Sequence, residues 1–76
     1  MGTRYKIQMI TLTDIHNFIN SVSKLEGNVV LENEQGTYRL SAKSFLGAMA
    51  AVEDWGDIWV SSEDTNLYNA VKDFVV

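Results

Sequence analysis

Lys43-Ser44-Phe45-Leu46-Gly47-Ala48-Met49 opens a short apolar helix, and the rest of the chain can be placed around it. Ser44 is well sited as an N-cap, where a hydroxyl accepts a hydrogen bond from a backbone N–H two or three residues on. Phe45, Ala48, Met49 and Val52 then follow at helical spacing. Leu46 stands beside Phe45 but about 100° round the helix. The apolar arc is therefore wider than one buried stripe needs. A core helix with one surplus apolar residue fits this pattern. So does a helix with one face in the core and another offered to a partner. A phosphate on Ser44 would lie at the helix's positive end.

Upstream, Thr3 to Ile10 reads as a strand, with Tyr5, Ile7 and Met9 alternating with Arg4, Lys6 and Gln8. Thr11 and Asp14 have the spacing of a capping box. The helix they open carries Ile15, Phe18, Ile19, Val22 and Leu25 on one face. Gly27 follows, where a left-handed residue commonly ends a helix. Val29-Val30-Leu31 and Thr37 to Leu40 form a hairpin about the polar turn Asn33-Glu34-Gln35-Gly36. Beyond the Ser44 helix, Glu53-Asp54-Trp55-Gly56 is expected to break it. Asp57 to Ser61 reads as a fourth strand. A last helix, capped by Asp64 or Ser62, buries Leu67, Ala70, Val71 and Phe74.

The order is β-α-β-β-α-β-α. One four-stranded antiparallel sheet with three helices on one face buries every stripe. The expected core is Ile7, Met9, Phe18, Ile19, Val22, Leu40, Ile58, Val60, Leu67, Val71 and Phe74. The sheet's other face is expected to be partly open to water.

At 76 residues a single domain over 1–76 is expected, and 46% hydrophobic content argues against disorder. A net charge of −4 with scattered Lys and Arg disfavours nucleic acid. No apolar run approaches a membrane span. The absence of cysteine excludes disulfides and thiolate metal sites and fits a cytoplasmic location. No metal-ligand spacing, phosphate loop or nucleophile–base motif is present, so neither a cofactor nor an enzymatic activity is expected.

The element order and the run from Lys43 to Met49 together resemble the HPr family, the small phosphocarriers of the bacterial sugar phosphotransferase system. Members carry a similar run of Lys, Ser, two apolar residues, often Gly, then an apolar residue and Met. The stripe from Ile15 to Leu25 matches the family's first helix. Asp64 to Phe74 shares its acidic start and Ala-Val pair. The resemblance implies an α+β, HPr-like open-faced sandwich. It also implies that Ser44 falls on the serine phosphorylated by a dedicated kinase in some bacteria.

The family's phosphocarrier site departs. Its His, followed by Thr, Arg and Pro, opens the first helix. Aligning the stripes puts Thr11 at the His place, Thr13 at the Arg place and Asp14 at the Pro place. Thr11 cannot form a phosphohistidine, Thr13 brings no positive charge and Asp14 repels an anion. The combination of a missing histidine and a retained serine is similar to the Crh proteins, corepressor-like partners of a transcription regulator. A second alignment places His16, the sole histidine, at the phosphoryl-accepting position. It shortens the helix and puts Asn17, Phe18 and Ile19 where Thr, Arg and Pro belong.

Three functions follow as expectations. The first is a non-catalytic HPr-like interaction module with Phe45, Leu46 and Met49 as the contact patch, switched at Ser44. Its partner would be a transcription regulator or a phosphotransferase-system component. The second is a phosphocarrier using His16. The third is a structural or homo-oligomeric domain using the open sheet, where Trp59, alternating with Ile58 and Val60, would offer its ring.

Overall fold

The computed structural model describes residues 3–76. The elements are β1 (Thr3–Ile7), α1 (Leu12–Val22), β2 (Val29–Glu32), β3 (Arg39–Ser41), α2 (Phe45–Asp54), β4 (Ile58–Ser62) and α3 (Leu67–Val71). The strands form one antiparallel sheet in the order β1-β4-β2-β3. The last strand thus slots between the first two. Tyr5 lies opposite Val60, and Val60 opposite Leu31, which in turn faces Leu40.

Strand alternation sends Tyr5, Ile7, Ile58, Val60, Val29, Leu31 and Leu40 to one side of the sheet. There they meet Ile15, Phe18 and Val22 of α1, Ala48 and Ala51 of α2, and Leu67 and Val71 of α3. Phe18 and Val22 are wholly buried. Phe18 also meets Phe74 edge to face, with centroids 5.4 Å apart. The result is an α+β architecture, a four-stranded open sheet and three helices, compatible with the expected sandwich. No helix of the described residues is long and apolar enough to cross a membrane.

The core differs from expectation in part. Ile19, Leu40 and Phe74 are only partly buried. Leu40 sits on the edge strand β3, and Phe74 lies past the end of α3, so each has neighbours on fewer sides. Val29, Leu31, Ala42, Ala48 and Ala51 are buried in addition. The three alanines reflect close approach: α2 lies against β2 and β3, and small side chains allow it.

Several boundaries also move. β1 stops at Ile7, after which Gln8 N–H donates to the carbonyl of Phe74 (2.9 Å) and Val76 N–H to that of Lys6 (3.0 Å). The C-terminal residues therefore continue the pairing along the edge of β1. β3 begins at Arg39, not Thr37, because Asn33 holds the turn. Its Nδ2 donates to Thr37 Oγ1 (2.8 Å), and its Oδ1 accepts from Tyr38 N–H (3.1 Å). Glu53 and Asp54 do not break α2; they form its last turn, and Trp55 is the C-cap. Gly27 has a positive φ of 71°, but α1 has already ended at Ser23, so the glycine shapes the loop and not the cap. α3 starts at Leu67 with Asn66 as N-cap, so neither Asp64 nor Ser62 caps it. Asp64 instead accepts from Asn66 N–H (2.8 Å) and from Glu26 N–H (2.8 Å), tying the α1–β2 loop to the turn before α3.

Candidate functional site

The first turn of α1 is closed by its own side chains. Thr11 Oγ1 accepts from Asp14 N–H (3.1 Å), and Asp14 Oδ2 accepts from the N–H groups of Thr11 (3.1 Å) and Ile10 (2.9 Å). A full capping box forms even though aspartate is its shorter version. The N–H groups of Ile10 and Thr11 hold the Asp14 carboxyl below its ordinary value of 3.8. The helix N-terminus that could cradle an external anion already holds an internal one. Thr13 is exposed and brings no charge to this end.

His16 lies in the second turn of α1, exposed, away from the unpaired N–H groups of the helix start. Its ring stacks on that of Phe45, with centroids 4.7 Å apart and planes 23° from parallel. This contact joins α1 to the first turn of α2. It brings together two residues that sequence spacing had assigned to separate roles.

α2 begins as expected. Ser44 Oγ accepts from Gly47 N–H (3.2 Å), and the residue is exposed. Gly47 is there for proximity: a Cβ at this position would lie 2.9 Å from the carbonyl oxygen of Ser41. Lys43 does not reach across Ser44; its ammonium donates to the carbonyl of Leu25 (2.7 Å). The buried line of α2 is Ala48 and Ala51, with Phe45, Met49 and Val52 partly buried beside it. Leu46 lies outside that line and is 77% exposed.

Another exposed apolar side chain stands on the His16 face of α1. Leu12 is 58% exposed, one turn before His16 on α1. Leu12, His16, Phe45 and Leu46 carry no formal charge with the imidazole neutral. Protein-binding surfaces are depleted of charge at their centres. Leu12 was not foreseen as surface, because its spacing from Ile15 equally allows burial. The sequence signal available was its place at the first helical position, where a side chain can overhang the core.

Trp59 lies on the opposite, open face of the sheet. Its ring is partly buried, with the Arg4 guanidinium 4.6 Å above it, and its Nε1 is buried without a hydrogen-bond partner among the described residues. Expected as an exposed ring, it is thus partly covered from within the molecule. Around it, Ser61 donates to Glu32 (3.1 Å) and Lys6 pairs with Asp57 (3.3 Å). The structure therefore brings Ser44, Phe45, Leu46, Met49 and His16 into one neighbourhood and leaves Trp59 on the other side of the sheet.

Compared with protein-family models, curated proteins and solved structures, the chain matches none.

Proposed function

We propose that this protein is an HPr-like, Crh-like interaction module without phosphocarrier activity, docking a protein partner through the flank of α2. The observation that carries the reading is Leu46, 77% exposed beside the His16–Phe45 stack. A large aliphatic side chain in water beside uncharged neighbours suits contact better than core packing. Phe45 and Met49 root the patch in the core, and Ser44, exposed at the helix start, is where a phosphate would modulate docking. The partner class implied by the resemblance is a transcription regulator or a phosphotransferase-system component in the cytoplasm.

The capping box weighs against a carrier at Thr11, since Asp14 engages the N–H groups a phosphoryl group would need. His16 lacks both those donors and a neighbouring arginine, and its stack on Phe45 supplies a packing reason for its presence.

A photo-crosslinking residue at Leu46 in living cells tests the docking role. A discrete protein adduct is expected, absent when the same group replaces exposed Tyr68 within α3. No adduct at Leu46 would overturn it. Incubation with phosphoenolpyruvate and enzyme I should leave the chain unlabelled. An acid-labile phosphate lost in His16→Ala would instead make it a carrier.

A further inference from the structure

We infer that the segment docking on α2 is an apolar helix face followed by basic side chains, a partner chemistry that rests on the docking role proposed above. Leu46, Ala50 and Glu53 lie on one line of the helix surface, at i, i+4 and i+7. Met49 leads to the same Glu53, and Ala50 to Asp54. The apolar ridge thus runs directly into two carboxylates. Both are exposed, and neither forms an ion pair among the described residues.

These two acids are placed against the interest of their own helix. The C-terminal end of a helix carries partial negative charge, which favours cations there. The last turn of α2 holds Glu53 and Asp54 and no basic residue. Some acids elsewhere have visible structural duties. Asp14 caps α1, Asp64 ties two loops, and Asp57 pairs with Lys6. Glu53 and Asp54, like Glu26, Glu34, Glu63 and Asp73, have no side-chain partner among the described residues, but they alone stand in the last turn of α2, where they make the far end of the ridge negative.

That charge selects among occupants. A second copy would bring its own net charge of −4 to the same acidic end. An anionic membrane surface or a nucleic acid would meet the same repulsion. A helix presenting leucine-like anchors over about two turns, then Lys or Arg, would bury its apolar face on Leu46 and Met49 and neutralise Glu53 and Asp54.

The test uses the full chain, labelled with nitrogen-15, and two synthetic helical peptides that share one leucine stripe. One peptide carries lysines beyond the stripe and the other glutamates. At low ionic strength the lysine peptide is expected to bind at least about tenfold tighter and to shift the amides of α2. The double variant Glu53→Lys, Asp54→Lys should reverse the preference, and Leu46→Glu should remove binding of both peptides. Equal binding of the two peptides, or tighter binding of the glutamate peptide, overturns the basic partner. If that binding still depends on Leu46, the docking ridge itself stands. No binding of the lysine peptide while the Leu46 crosslink persists also overturns the charge selection. Loss of both crosslink and peptide binding removes the docking role with it.

Discussion

Single residues in this chain answer to close contacts more than to propensity. Gly47 sits in the first turns of a helix, where alanine would ordinarily be favoured by up to about 1 kcal/mol. Its missing Cβ leaves room for the Ser41 carbonyl, so Gly47→Ala should lower the unfolding midpoint despite the better helix former. Denaturant titration of the variant checks this. Thr11→Ala removes one half of the α1 capping box and should cost about 1 kcal/mol by the same measurement. Asp14 and Asp64 both have carboxyls lowered from 3.8, Asp14 by the N–H groups of Ile10 and Thr11, Asp64 by those of Asn66 and Glu26. A carboxyl with a depressed folded pKa holds fewer protons folded than unfolded. Its contribution is present above about pH 4 and is lost as pH falls through the folded value. Acid unfolding followed by circular dichroism should therefore begin below pH 4, and Asp14→Asn with Asp64→Asn should flatten the dependence there. Leu46 is the contrasting case. It is mostly in solvent, so Leu46→Glu should leave the midpoint almost unchanged, within about 0.5 kcal/mol.

At the scale of elements, α2 carries two acids in its last turn, against its own dipole. Replacing Glu53 by lysine should stabilise the helix by about 0.3–1 kcal/mol through the dipole alone. A rise in thermal midpoint together with weaker partner binding would separate the two roles. The helix was legible from Ser44 and the 3.6-residue spacing, but its end was not. Glu53 and Asp54 look like a breaker in sequence, yet Trp55 N–H still donates to the Ala51 carbonyl (2.9 Å) and carries the last turn through them. The third strand shows a different limit. Thr37 and Tyr38 have strand-like side chains, but Asn33 captures both, and such a side-chain clamp leaves no periodic trace. The start of α3 was likewise misplaced, because Asp64 can serve a helix cap or a loop tie with the same chemistry.

For the whole molecule, the core is small and every large member counts. A 76-residue chain has a total stability of about 4–11 kcal/mol. Phe18→Ala leaves a cavity between α1 and the sheet and also loses the Phe74 contact, at about 3–5 kcal/mol. The unfolding midpoint should fall steeply, which denaturant titration followed by near-ultraviolet circular dichroism would show. The sequence by itself determined the seven elements, their order, and which stripes must be hidden from water, since periodicities of 2 and 3.6 are properties of the local backbone. It also marked Ser44 and Leu46 as the parts of α2 to watch. Only the tertiary structure decided that β4 lies between β1 and β2, that His16 stacks on Phe45, and that Arg4 covers Trp59. Those outcomes depend on which residues far apart in the chain come within contact distance. That is set by packing all the stripes into one core at once, and no local spacing encodes it.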